Sequence, residues 1–345
     1  MARSMRDYYM LARKRKFVAN FRLLTVAVFF WTGCLMCVPG LPYDAFGFIA
    51  RKLYIPTDFT VYSANDSRIF MYPSLQFNYS INNPQTCSSD DIFLLIFVKT
   101  LPSHLEQRTA IRKSWGSATS EYFSPGKVKV LFMMGLENSF DSQLLQMENK
   151  VHQDIIQLKF VDSFHNLTVK LISQFKWVVK YCNNLRYVMT TDDDVYVNTN
   201  NLLQYLLCQS PNNLFVGCTH IGAAPIRNPS SKYYVNRKVY PGLYYPDYCT
   251  GSGYVLSFDA LKDLHRYAMY VPMLYIDDVH SGILANAIGL SPVHNEWFLC
   301  EDKVSLTPHS LSHFITSHGH SPSNMLEMFH IARKFHHKHA PCYFT

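Results

Sequence analysis

An α/β fold with a mostly parallel central sheet, preceded by a single transmembrane helix, is the reading that this 345-residue chain supports. Apolar runs of strand length alternate with segments of helical period. No hairpin signal joins one run to the next, which is how strand-helix-strand crossovers look in sequence. A sixteen-residue uncharged stretch follows a basic leader near the amino terminus, and three consecutive aspartates end one of the apolar runs.

The leader comes first. Arg3, Arg6, Arg13, Lys14, Arg15, Lys16 and Arg22, against Asp7, give residues 1–22 a charge of +6 out of a total of +7. The rest is close to neutral, so no nucleic-acid-binding face is expected. Leu23 to Val38, LLTVAVFFWTGCLMCV, spans about 24 Å as a helix. That is short for a bilayer but workable with Arg22 reaching back to the headgroups. A cleaved signal peptide is the other reading, yet no small-x-small cleavage site follows. Residues 1–22 are therefore read as a cytosolic tail, 23–41 as a signal anchor, 42–86 as a proline-punctuated lumenal stem and 87–345 as the compact domain. Positive charge stays cytosolic, giving a single-pass type II topology.

Asn65, Asn78 and Asn166 head N-x-Ser/Thr sequons suited to a lumenal chain, whereas Pro229 excludes Asn228. Beyond the anchor lie Cys87, Cys182, Cys208, Cys218, Cys249, Cys300 and Cys342. Several should pair in an oxidising lumen, and the odd count leaves one free or bridging a homodimer. None forms a Cys-x-x-Cys pair, so a zinc site is not expected.

With 48% hydrophobic and 17% charged residues, the chain can bury one sizeable core or two modest ones. Ile92 to Val98 is a continuous apolar run suited to a strand buried on both faces. A helix-compatible segment runs from Arg108 to Trp115. Val128 to Met134 reads as a second strand ended by Gly135, Ser139 to His152 as a helix and Ile155 to Val161 as a strand. Leu167, Leu171, Phe175, Val178 and Cys182 recur at helical spacing. Leu185 to Met189 then returns to a strand, leading into Asp192, Asp193 and Asp194. Ligands of parallel sheets sit beyond the carboxyl ends of strands, where these aspartates fall.

Three adjacent carboxylates repel one another unless a cation or solvent relieves them. On extended backbone Asp192 and Asp194 point to one side and Asp193 to the other. Hard oxygen ligands suit Mg²⁺ or Mn²⁺ completed by substrate phosphates, so a nucleoside diphosphate is a fitting occupant. A solvated acidic turn is the alternative.

Other stretches narrow the choice: Arg108 to Gly116 (RTAIRKSWG), Asp162 with Asn166 to Lys170, Asp192 to Asn198 (DDDVYVN), Ser231 to Val235 (SKYYV), Tyr245 to Tyr254 (YPDYCTGSGY), Ile276 to Val279 (IDDV) and Ile315 to His318 (ITSH). In this order they resemble the family 31 glycosyltransferases, the β-1,3-galactosyltransferase and β-1,3-N-acetylglucosaminyltransferase group of Golgi enzymes, over about Ile92 to Phe329. The resemblance implies a GT-A type nucleotide-sugar-binding domain at residues 87–345, a UDP-sugar donor, Mn²⁺ or Mg²⁺, and inverting transfer of galactose in β-1,3 linkage to a glycoprotein or glycolipid sugar in the Golgi lumen. N-acetylglucosamine is the second donor expectation, and a catalytically silent glycan-binding protein is the rival from another class.

The resemblance also implies roles. Asp194 is the metal ligand and His318 a second one, against a surface histidine in a His-rich tail. Asp192 and Asp193 hold the metal or the donor ribose, and Asp278 is the base. An inverting transferase needs one such base and no second carboxylate acting as acid. Asp277 and Asp278 also make sense as a helix N-terminal pair. Arg108 and Arg112, four apart on one helix face, suit a diphosphate or an internal ion pair. Tyr248 and a Gly251-Ser252-Gly253 turn would bring backbone close to the donor sugar. Trp115 and Trp177 are assigned to core packing. Tyr233 departs from the Trp common at its position. Asp277 looks like the N-acetylglucosaminyl type, and Tyr248 to Tyr254 like the galactosyl type.

Overall fold

The computed structural model describes residues 78–88, 92–117, 128–137, 142–300 and 303–334. The basic tail, the 23–41 segment, Asn65 and most of the stem lie outside the described residues. Among the described residues no helix is long and apolar enough to cross a membrane.

In chain order the strands are β1 (Tyr79–Ile81), β2 (Ile92–Lys99), β3 (Val128–Leu136), β4 (Ile155–Val161), β5 (Leu185–Asp192), β6 (Tyr196–Val197), β7 (Phe215–His220), β8 (Tyr248–Ser257), β9 (Val293–His294) and β10 (Thr316–Ser317). The helices are α1 (Leu105–Lys113), α2 (Ser142–His152), α3 (Leu167–Tyr181), α4 (Thr199–Leu207), α5 (Phe258–Ala268), α6 (Asp277–Ala287), α7 (Pro308–Ser312) and α8 (Pro322–Lys334). Among the described residues the main sheet runs β1-β4-β3-β2-β5-β8-β7-β9, and β6 and β10 form a small separate pair.

The expected parallel block is β4-β3-β2-β5. β2 is buried along its whole length, which is why its sequence is one apolar run. Side chains alternate across it: Leu95 and Phe97 enter one core with Trp177, while Leu94, Ile96 and Val98 enter the other with Trp115. Both tryptophans pack as the sequence suggests. β3 continues through Gly135 to Leu136 rather than ending at the glycine, because the Gly135 amide is held by Asp162 Oδ2 at 2.7 Å.

Beyond β5 the sheet changes sense, since β8 lies antiparallel to β5 and β7 antiparallel to β8. The Gly251-Ser252-Gly253 segment, expected as a turn, runs inside β8. Gly253 has φ +142° and is buried. A Cβ there would lie 2.8 Å from Met189 Cε and 3.0 Å from Thr316 Cγ2, so the glycine allows β5 and β10 to close over β8. Its nearest neighbours are the side chains of Met189, Thr316 and Thr191.

Disulfides join Cys87 to Cys182 and Cys218 to Cys300, and Cys208 is disulfide-bonded too. Cys249 is free and buried, so that thiol is not placed to bridge two copies. Asn78 is exposed at the start of β1, whereas Asn166 is half-buried and its Nδ2 donates to the Val161 carbonyl at 2.7 Å.

Candidate active site

Strand register creates the first contact of the site. Lys99 ends β2 and Asp192 ends β5, and the two residues are cross-strand partners. Lys99 Nζ lies 3.0 Å from Asp192 Oδ1 and 2.6 Å from Asp277 Oδ2 at the start of α6. Burial alone would lower the Lys99 ammonium, but Asp192 and Asp277 outweigh it and hold the group protonated. Burial pushes the Asp192 carboxyl up to about 6 against the pull of Lys99, although 40% of the side chain stays open to solvent. The backbone after Lys99 is fixed from behind by Lys170, which donates to the Thr100 carbonyl at 2.8 Å and pairs with Asp162 at 2.9 Å.

Asp193 and Asp194 leave the strand in a turn rather than continuing extended, so the alternation expected for three strand residues does not carry the geometry. Asp193 turns toward α1. Its Oδ2 accepts from the Thr100 hydroxyl at 2.5 Å and lies 2.7 Å from His104 Nδ1, whose imidazole is raised in pKa by that hydrogen bond. Asp194 stays exposed. Crowding by the protein and then the charge of Asp193 raise its carboxyl, while His318 pulls it the other way.

His318 comes near enough to Asp194 to act on its charge because β6 and β10 pair antiparallel, with Ser317 opposite Tyr196 and Thr316 opposite Val197. The His320 amide then donates to the Asp194 carbonyl at 2.9 Å, locking the two segments together. Among the described residues no three His, Cys, Asp or Glu side chains converge as a metal cage. Asp194 and His318 are the side chains that could hold a metal here, and the His318 Nδ1 is buried without a hydrogen-bond partner. An oxygen and an imidazole ligand with open positions suit a divalent cation that shares its shell with phosphates.

Asp278 faces the same space from α6. Its Oδ1 accepts from the Val279 amide at 2.7 Å and its Oδ2 from the Gly251 amide at 3.3 Å. Burial, and then the negative charge of Asp277, push this carboxyl up to about 7. A Cβ placed on Gly251 would stand 3.7 Å from Asp192 Oδ2, 3.8 Å from Lys99 Nζ and 3.9 Å from Asp278 Oδ2. Three charged groups therefore converge over one glycine.

Tyr248 borders this space. Its ring lies against His220, with centroids 5.2 Å apart. Arg108 and Arg112 are elsewhere. Arg108 is fully buried, pairing with Glu148 at 2.7 Å and donating to the carbonyls of Leu101 and Pro102. Arg112 pairs with Glu148 at 2.7 Å and Asp154 at 2.8 Å. Their shared helix face looks inward and every short contact is to the protein, so the expected diphosphate contact gives way to an internal ion-pair network. Lys99 is the residue sequence reasoning missed. The available signal was a lone charge closing an otherwise apolar buried strand at its ligand-binding end.

A profile of the galactosyltransferase family matches residues 106–296, which include Asp192 to Asp194, Tyr248, Gly251 and Asp278. The chain belongs to the galactosyltransferase family. Lactosylceramide 1,3-N-acetyl-beta-D-glucosaminyltransferase of Xenopus tropicalis is 42% identical over 255 residues, covering 71% of this chain and 67% of that protein. The protein of the same name from Homo sapiens is 38% identical over 256 residues, again 71% and 67%. Among solved structures, mouse xyloside xylosyltransferase 1 superposes with a TM-score of 0.30 at 10% identity over 59% of this chain and 84% of that one, too low to carry an argument.

This galactosyltransferase-family chain is thus a UDP-sugar-dependent glycosyltransferase, and Gly251 tests where its chemistry lies. The distances around an added methyl are ordinary van der Waals contacts, so Gly251→Ala should melt at the wild-type temperature. The methyl occupies the point where Asp192, Lys99 and Asp278 meet, and turnover should fall by at least about tenfold, measured as UDP release. Wild-type turnover would place the chemistry elsewhere.

Proposed function

We propose that the chain transfers N-acetylglucosamine from UDP-N-acetylglucosamine, with inversion and in β-1,3 linkage, to the terminal hexose of a glycolipid. The sequence puts galactose first, on the residues around Tyr248. The relatives at 38% and 42% identity, named as N-acetylglucosaminyltransferases acting on lactosylceramide, support the second donor expectation over the first. The observation that carries the chemistry is the convergence of Asp278, Lys99 and Asp192 over Gly251.

Inversion at the anomeric carbon needs one base facing the acceptor hydroxyl. Burial and the charge of Asp277 push the Asp278 carboxyl up to about 7, toward the range that suits a general base working at neutral pH. The Val279 and Gly251 amides fix its orientation. The acceptor oxygen forms its bond to the anomeric carbon as the bond to the diphosphate breaks, and UDP leaves with the electron pair. A divalent cation held by Asp194 and His318 would supply positive charge to that leaving group. Lys99 balances Asp192 and Asp277, so the donor's phosphates do not meet two uncompensated carboxylates.

The 23–41 segment as a membrane anchor and the Golgi lumen as the compartment belong to the same reading. The paired cysteines support an oxidising compartment. A donor screen with UDP-N-acetylglucosamine, UDP-galactose and UDP-N-acetylgalactosamine, with Mn²⁺ and methyl β-lactoside as acceptor, should release UDP chiefly from the first and lose activity with EDTA. Preference for UDP-galactose would restore the other donor. No release from any of the three would end the transferase reading.

A further inference from the structure

Residues 221–247 join β7 to β8 without a regular helix or strand, and a loop of that length in a compact domain is uncommon unless it carries function. It is firmly held. Arg227 donates to the carbonyls of Val235 at 2.7 Å and of Tyr240 and Gly242 at 2.8 Å, and the Tyr245 amide donates to the Ala223 carbonyl at 2.8 Å.

On this loop Tyr233 is 40% exposed. Its ring meets Phe164 in a T-shaped contact with centroids 5.5 Å apart. The Lys232 ammonium lies 4.8 Å from the Tyr233 centroid and 5.3 Å from that of Phe164. Tyr275 completes the cluster, 6.0 Å from Phe164, and its hydroxyl donates to the Tyr234 carbonyl at 2.6 Å. Tyr275 stands three residues ahead of Asp278, so the loop is fastened to the segment that delivers the base.

Tyr248 connects the two from the other side. A Cβ on Gly282 would come 2.5 Å from Tyr248 Cβ, so Tyr248 lies directly on α6 at the position one turn after Asp278, on the same helix face. Burial and then the neighbouring Asp278 and Tyr233 push the Tyr248 hydroxyl above its ordinary range, consistent with Tyr248 lying between them. The groups assigned to the nucleotide come from β2, β5 and the β6–β10 pair. The aromatic cluster comes from the β7–β8 loop and the approach to α6, with Asp278 joining the two sets.

We propose that Tyr233, backed by Phe164 and Tyr275 and overhung by Lys232, seats the terminal hexose of the acceptor and turns its hydroxyl toward Asp278. A hexose presents a face of C–H bonds and a rim of hydroxyls. The first packs on an exposed aromatic ring and the second accepts hydrogen bonds from an ammonium. The inference rests on the transferase reading above.

Titrating methyl β-lactoside into the full-length protein with UDP and Mn²⁺ present tests it without turnover. Tyr233→Ala should bind the lactoside about tenfold more weakly or worse while its UDP affinity and melting temperature stay at wild type. Tyr233→Phe and Tyr233→Trp should retain binding, and Lys232→Met should weaken it without touching UDP. Unchanged lactoside affinity in Tyr233→Ala, an equal loss of UDP affinity, or no lactoside binding by the wild type would overturn the assignment. Lactoside binding that depends on Tyr233, in a protein that releases UDP from no donor, would leave this seat standing and remove the transferase reading.

Discussion

Asp278→Asn should lose at least about 10²-fold in transfer rate while binding UDP as the wild type does. The amide keeps the size, and its single oxygen can still accept from the Val279 amide, the shorter of the two contacts, but it cannot take the acceptor's proton. UDP affinity by titration separates this from a disrupted donor site, and full transfer by the variant would remove Asp278 as the base. The wild type carries a matching pH signature. A base whose carboxyl sits at about 7 makes kcat/KM rise as pH rises through that value, and Asp278→Asn should abolish the rise. The same shift acts on stability with a defined sign. The folded state holds a proton here between the model-peptide value of 3.8 and about 7, so this group weakens the fold as pH rises across that window.

The second large effect is Lys99→Met. This leaves the buried Asp277 carboxylate, and Asp192 beside it, without the charge that lies 2.6 Å and 3.0 Å away. Breaking such a pair from one side costs about 3–5 kcal/mol, so a large drop in urea midpoint is expected together with loss of transfer. Asp277→Asn in the same background should restore much of the stability, because it removes one orphaned charge, and should not restore turnover. A Lys99→Met protein that melts like the wild type would show that the two carboxylates find other compensation.

What the sequence made legible follows from what dominates locally. β2 is buried along its whole length and β3 and β4 over much of theirs, so hydrophobic run length reported these strands and their parallel sense. The Gly251-Ser252-Gly253 part of β8 reads as a turn because its glycines carry no side chains to show a strand's pattern, although Gly253 serves close approach to Met189 and Thr316. Arg108 and Arg112 show the complementary limit. Their spacing fixed a common helix face but not what that face meets, and the partners, Glu148 and Asp154, lie at α2 and just before β4. Asp278 and Asp194 were read from motif resemblance, and their juxtaposition with Lys99 depends on strand register and on the docking of α6.

The short β6–β10 pair carries a consequence for how the enzyme is completed. Asp194 follows β5 directly, but the β10 segment that holds its carbonyl and carries His318 comes from a far later part of the chain, alongside Tyr196 and Val197. Joining such distant segments is entropically slow and comes after local structure. The proximity of His318 to Asp194 therefore depends on a contact of long sequence separation. If Asp194 and His318 hold the cation as proposed, UDP binding depends on the carboxyl-terminal part of the chain as much as on the central sheet.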